Sequence, residues 1–314
     1  MEKKKSYITF TRDIEGYKWY KPLVVGLLSV IFYLIFSVVL SIIFFIIKAN
    51  KGENILDVAL NLSKGYDSFD VYSFEGALLS LGGIAIMLLA LFIASIIIRD
   101  RSFSTYGSIS GGFNIPLFAK FCLIALIPIG IPVGISTVVY GDYQNAMSFT
   151  TAGLIACVIL TPLQCIAEEY FFRGFIMQTI GGWFRIPVIA MVLQAVVFAS
   201  QHPYNIYGVL EVFFVGIIFA VIVYITDGLE AASAAHFINN FTIFFLNGLG
   251  FKSIKTDSNL ESLIESTVID LVFLAIVYYL VKKKNFVKRP ELVESLSQAQ
   301  VMPEEVINNE NYGG

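Results

Sequence analysis

"AEEYFFRGF", residues 167–175, sets two glutamates and an arginine inside an otherwise oily segment. The chain runs into it through "AGLIACVILTPLQCI" (152–166) and out of it through "GFIMQTIGGWF" (174–184). The 314 residues are 57% hydrophobic and only 14% charged, with a mean hydropathy of +0.76. A soluble domain carries roughly 45–50% apolar and about 25% charged residues, so the charges of this stretch lie where a bilayer is expected. A charged side chain at a bilayer centre costs at least about 2.5–3.5 kcal/mol on insertion scales. Such groups are retained where they pair with one another or line a polar cavity.

Apolar runs long enough for a hydrocarbon core of about 30 Å recur along the chain. Read against polar punctuation they lie near 22–47, 75–98, 116–140, 151–177, 186–202, 207–226, 229–249 and 265–281. The expected fold class is all-α, a polytopic membrane protein of eight transmembrane helices with an intramembrane polar cavity. The third run contains "IPIGIPVGIS" (127–136), whose interior prolines predict a bend or break. The seventh, "LEAASAAHFINNFTIFFLNGLG" (229–250), is rich in small residues that allow close helix approach, so it is expected inside the bundle. The first apolar run exceeds the roughly 7–15 residues of a cleavable signal and reads as a retained helix.

Basic residues orient the bundle. With cytoplasmic termini, the inner ends hold Lys3, Lys4, Lys5, Arg12, Lys18, Lys21, Arg99, Arg101, Lys120, Arg173, Arg185, Lys282, Lys283, Lys284, Lys288 and Arg289, which is 16 of 21. Lys48, Lys51, Lys64, Lys252 and Lys255 remain outside. Four units are expected: 1–149, an interfacial segment and helices one to three; 150–250, the functional core of helices four to seven; 251–289, the eighth helix; and 290–314, a polar, flexible cytoplasmic tail. Residues 8–22, "ITFTRDIEGYKWYKP", mix aromatics with charge and are expected at the inner interface. Residues 50–73, with Glu53, Asp57, Asp67 and Asp70, form a modest external loop. Cys122, Cys157 and Cys165 all fall in apolar segments and read as small packed hydrophobes. The net charge of −3 says little about nucleic acid, no solvated basic patch argues for it, and no nucleic-acid partner is expected.

The chain has two histidines, His202 in "FASQHPYN" and His236 in "HFINN", both in or at the end of apolar runs. Glu169 and Arg173 are i, i+4 and share a helix face, so they can pair. Glu168 is rotated about 100° away, free to hold a proton or activate water. His236 and Asn240 are likewise i, i+4, with Asn239 a weaker candidate. His202 precedes Pro203, which predicts that its helix ends there. A carboxylate, two imidazoles and an amide in a low-dielectric pocket are the parts of a hydrolytic site, through a general base and oxyanion donors or through a metal-activated water.

The blander readings differ residue by residue. Alone, Glu169–Arg173 is a structural ion pair and His236 a helix–helix hydrogen-bonding group; Glu211 and Asp270 read as outer-interface residues. Counting 1.5 Å per residue, Glu168 lies about 14 Å from an inner end at Met177 and His236 roughly 10 Å from one at Leu229, whereas His202 lies about 22 Å up from Pro187. Those heights disagree unless helices four and five project inward or the fifth tilts.

"EEYFFR", "FASQH" and "HFINN", in this order over roughly residues 150–250, resemble the CPBP intramembrane proteases. That family includes the type II CAAX prenyl endopeptidases and the bacterial Abi or bacteriocin-immunity proteins. The resemblance implies an eight-helix fold and an intramembrane endopeptidase of a glutamate or metalloprotease mechanism. It assigns Glu168 to water activation with His202 as partner, His236 and Asn240 to oxyanion stabilisation or metal binding, and Glu169 and Arg173 to support. A divalent metal such as zinc, if used, would draw on Glu168, His202, His236 and Asn240. There is no HExxH, and two histidines are few for zinc. The implied partners are membrane lipid and a peptide or membrane-anchored, CAAX-like protein substrate. Richness in Lys, Ile, Phe and Asn points to a bacterial plasma membrane, where a bacteriocin or signalling precursor, or self-immunity, is the expected business. A non-catalytic membrane immunity or binding protein, or a small proton-coupled transporter using Glu168, is the alternative from another class.

Overall fold

The computed structural model describes residues 6–63, 70–143, 147–253 and 258–287. The expected tail 290–314, Lys3, Lys4, Lys5, Lys64, Asp67, Lys255, Lys288 and Arg289 lie outside them. All eight expected segments are helical: α1 (Lys21–Asn50), α3 (Phe74–Ile98), α4 (Ile115–Tyr140), α5 (Thr151–Phe184), α6 (Pro187–Ser200), α7 (Ile206–Thr226), α8 (Glu230–Gly248) and α9 (Leu260–Lys284). A further short helix, α2 (Ile55–Leu62), occupies the loop after α1.

Six of these helices, α1, α3, α4, α5, α7 and α9, are long and apolar enough to cross a membrane. The expectation of eight spanning helices is therefore met for six. The 14 residues of α6 reach only about 21 Å. The 19 residues of α8 are long enough, but Glu230, Ser233, His236, Asn239 and Asn240 make it polar. Its first half, Glu230–His236, is buried on every face. Alanines and a serine at 231–235 let neighbouring backbones close on it, and van der Waals packing takes the place of a hydrophobic drive that lipid does not supply.

Three helices widen locally to i→i+5 hydrogen bonding, α3 among them over Leu78–Gly82. In α4 this covers Leu126–Gly130 around Pro128. Pro128 has no N–H to give to the ladder, and the wide turn absorbs the defect, so the helix continues where a break was expected. In α5 the wide segment is Tyr170–Met177, directly after the two glutamates. Such turns recur at functional sites.

Hydrogen bonds tie the helix ends into two opposite rims. At the first, Lys21 Nζ donates to the Arg99 carbonyl (3.1 Å) and Trp183 Nε1 to the Trp19 carbonyl (3.0 Å). There too Leu229 N–H donates to the Gly107 carbonyl (2.9 Å), and Arg185 pairs with Asp13 (3.3 Å). At the second, Lys48 and Lys51 pair with Glu75 at 3.4 and 2.7 Å. Ser148 N–H donates to the Gly248 carbonyl (2.9 Å), and a two-stranded ribbon pairs β1 (Gly141–Tyr143) with β2 (Phe251–Ser253).

The first rim is thick. Residues 8–22 do not lie wholly along an interface: Ile8, Phe10 and Thr11 are buried, as is Tyr7 just before them, while Trp19 and Tyr20 stay exposed. The Tyr7 hydroxyl donates to the Tyr106 carbonyl, and burial holds the Tyr7 and Tyr106 phenols well above their ordinary range, so both remain donors. The segment fits because Gly181 and Gly182 leave no side chain at the end of α5; a Cβ on Gly181 would collide with the Ile8 carbonyl. Gly181→Val is expected to lose about 1–3 kcal/mol of stability through overpacking. Gly83→Ala, whose methyl meets only Leu40 at 4.0 Å, should leave the melting temperature of the purified protein unchanged.

Candidate active site

Three helices build the polar cluster. On α5 the Glu169–Arg173 pair forms as the i, i+4 spacing predicts, with Nη1 3.0 Å from Oε1 and both side chains at 0% exposure. The Arg173 guanidinium also lies over the Phe198 ring from α6, 4.4 Å from its centroid, and over Phe219 from α7 at 5.6 Å. Aromatic faces on two sides stabilise a cation removed from water.

From α8, His236 enters between the two glutamates. Its Nδ1 lies 3.0 Å from Glu169 Oε1 and its Nε2 3.3 Å from Glu168 Oε2. The Glu169 oxygen, already accepting from Arg173, can only accept, so Nδ1 carries a hydrogen. Nε2 then faces the Glu168 carboxyl across one shareable proton, held as imidazolium–carboxylate or as imidazole–carboxylic acid. The Glu168 and His236 side chains retain 12% and 10% exposure, against none for the pair behind them. Glu168 is thus the carboxyl of this cluster that substrate and water can reach.

His202 sits just past the end of α6, its Nδ1 2.9 Å from the Phe198 carbonyl. A carbonyl only accepts, so Nδ1–H donates and Nε2 of the neutral ring is left as an acceptor. Phe198 packs against both histidines, its ring centroid 4.9 Å from that of His202 and 6.4 Å from that of His236. Asn205 pins the loop: its Oδ1 caps α7 at Gly208 N–H (3.0 Å) and its Nδ2 donates to the Ser258 carbonyl (2.8 Å). Asn240, one turn above His236, donates to Gln164 Oε1 at 3.4 Å and accepts from Asn239 Nδ2 at 3.1 Å.

The disagreement in height resolves in the length of α5. It continues past Met177 to Phe184, which puts Glu168 about 24 Å above its lower end, against about 22 Å for His202 above Pro187. These two counts agree, whereas His236, about 9 Å above Glu230 by the same rise, meets Glu168 at 3.3 Å, so α8 begins higher in the bundle than α5 ends.

The structure corrects one expectation and adds a neighbour. Asp270 is buried rather than interfacial, and its charge interacts with Glu211 and His236. Tyr204, 58% exposed, interacts electrostatically with Glu168 and Glu211, and its ring lies tilted against His202, centroids 5.6 Å apart. Asp270, Glu211 and Tyr204 thus border the site. No spacing rule flags them, because each comes from a different element; an acidic residue inside an apolar run was the available signal for Asp270. A crevice by Thr11, Tyr17 and Arg101 and another by Lys48 and Asp70 have neither Glu168 nor His236 in their linings.

Among the described residues no three His, Cys, Asp or Glu side chains gather as a metal would require. Both His236 nitrogens face carboxylates, and the Phe198 ring packs against both histidines. In this arrangement Glu168, His202, His236 and Asn240 do not fit a zinc site, and no step below is routed through a metal.

Residues 148–242 match the family model for type II CAAX prenyl endopeptidase, Rce1-like. All six residues of the three motifs, Glu168, Glu169, Arg173, His202, His236 and Asn240, fall inside the match. The resemblance read from the motifs holds over this segment, and it is a protease family. The uncharacterized protein YyaK of Bacillus subtilis (strain 168) is 26% identical over 155 residues, an alignment covering 46% of this chain and 49% of that protein. The chain thus spans about half the length of that curated relative. No solved structure matches.

Proposed function

We propose that this chain is an intramembrane endopeptidase that hydrolyses a peptide bond of a membrane-associated peptide or CAAX-like protein, with eight helices in the bilayer and both termini cytoplasmic. The observation that carries it is the Glu168–His236 contact at 3.3 Å, backed by the buried Glu169–Arg173 pair. Glu168 takes a proton from a water molecule, and the oxygen attacks the scissile carbonyl carbon. His236 shares that proton through Nε2 and holds its orientation through Nδ1 and Glu169. The carbonyl oxygen becomes an oxyanion, for which the second amide hydrogen of Asn240 Nδ2 is a donor. As the tetrahedral species collapses, the C–N bond breaks and the proton passes from the Glu168–His236 pair to the leaving amine. His202, through the lone pair on Nε2, orders the water or the substrate amide.

The deciding experiment is cleavage of a panel of fluorogenic peptides, prenylated and plain, by purified wild type and Glu168→Gln. Equal rates would sink the mechanism. Asn240→Ala is expected to cut kcat by about 10²–10³, the usual effect of losing one oxyanion donor, with KM little changed. A change in KM alone would instead make Asn240 a binding residue.

A further inference from the structure

We infer that the site opens toward the second rim, the end opposite the basic one, so that its substrate is a peptide presented from the extracytoplasmic side. The identity of the reaction rests on the endopeptidase reading; the side of access does not.

Burial changes at the level of His236 on more than one helix. Below it, toward the first rim, α8 is buried on every face over Glu230–Ala235; above it, Phe237, Asn239, Asn240, Phe241 and Thr242 are all part-exposed. On α7 the lower half contributes Gly216, Ile218, Phe219, Ala220, Ile222, Val223 and Thr226 to the interior, whereas Gly208 is the single buried residue of its upper half. The lower stretch of α5 is closed as well, with Phe172, Arg173, Phe175, Met177 and Gln178 all buried. Beneath them Tyr106, Ser108, Tyr7, Ile8 and Phe10 form a second buried layer. A substrate coming from the first rim would have to displace both layers.

From the other side the path is short. Tyr204 is 58% exposed, its ring packs on His202, the His202 ring on Phe198, and Phe198 on His236. Gln201, Pro203 and Tyr204 form irregular, exposed backbone beside the site. Non-helical backbone at membrane depth is tolerated where it lines water or protein. The carboxyls bordering the site, Glu211 and Asp270, also lie above His236, on the upper half of α7 and the first half of α9.

Charge gives the sides their identity. Arg12, Lys18, Lys21, Arg99, Arg101, Arg185, Lys282, Lys283 and Lys284 cluster at the first rim, against Lys48, Lys51 and Lys252 at the second. The positive-inside rule puts the first rim in the cytoplasm, and the opening with its acidic border on the other side. Glu211, part-exposed on this side, favours a substrate with a cationic segment or a free amino terminus next to the scissile bond.

The test is cysteine labelling with a membrane-impermeant maleimide in spheroplasts of an expressing bacterium. The parent chain, with Cys122, Cys157 and Cys165, serves as the blank. Gln201→Cys, beside the opening, and Glu261→Cys, at the second rim, are expected to react in intact spheroplasts; Lys283→Cys, at the first, only after lysis. The reverse pattern overturns the proposal, and so does a Gln201→Cys that stays unlabelled even after lysis. Labelling does not depend on cleavage. An inverted pattern with a Glu168→Gln variant that is dead in detergent would reject the side of access and leave the endopeptidase standing; correct labelling with an active Glu168→Gln would do the opposite.

Discussion

Glu168→Gln is expected to lower kcat for peptide hydrolysis by about 10²–10⁴, the range over which a positioned general base acts, with the melting temperature nearly unchanged. The amide keeps the shape of the carboxyl and can still accept or donate at the Oε2 position, 3.3 Å from His236 Nε2, so packing is preserved while the ability to take a proton is lost. Glu168 is also part-exposed, and its substitution strands no partner as deeply buried as Arg173. Purified variants should be compared by single-turnover cleavage and thermal melting side by side. A rate loss matched by a collapse in melting temperature would mean that Glu168 holds the helices together rather than reacting. His236→Gln should approach the same loss of rate, because it removes both the proton-sharing nitrogen and the contact that fixes it.

The residues that a one-dimensional pattern can reveal were legible, and those that depend on lateral packing were not. Glu169–Arg173 and His236–Asn240 follow from the 3.6-residue period, which is fixed by the backbone alone. The helical segments follow from runs of apolar residues. That His236 lies between both glutamates depends on how α8 crosses α5, and the alanines and serine at 231–235 mark close approach without naming the neighbour. The run was bounded at Met177, but the helix continues to Phe184, where Gly181 and Gly182 admit Ile8 and Thr11 against it. The buried N-terminal segment was hidden because an amphipathic, aromatic stretch suits an interface and a protein floor equally well. Asp270 shows the limit of reading charges by distance from a run's end, since its burial is decided by how the neighbouring helices pack against α9.

The hydrolytic site thus rests on a charge pair that has no contact with water, and removing one half of it is the second large effect expected. Arg173→Met leaves the Glu169 carboxylate buried with only His236 beside it, and breaking a buried pair in this way destabilises by about 3–5 kcal/mol. Among the described residues, Arg173 Nε and Nη2 and Glu169 Oε2 have no hydrogen-bond partner, so the arginine is held by one short contact to Glu169 and by the rings of Phe198 and Phe219. Removing both charges should therefore cost much less than removing one. The double variant Glu169→Gln/Arg173→Met is expected to recover most of the lost stability, because an amide and a thioether meet no desolvation penalty of that size. Activity should not recover in step. The introduced amide can still accept from His236 Nδ1, but a neutral oxygen stabilises the imidazolium less than a carboxylate does, so the double variant should fold well and cleave slowly. Melting temperatures and kcat for the four members of this cycle separate the two roles. A double variant as unstable as Arg173→Met would show that packing rather than charge sets the penalty, and one that is fully active would remove Glu169 from the orientation of His236.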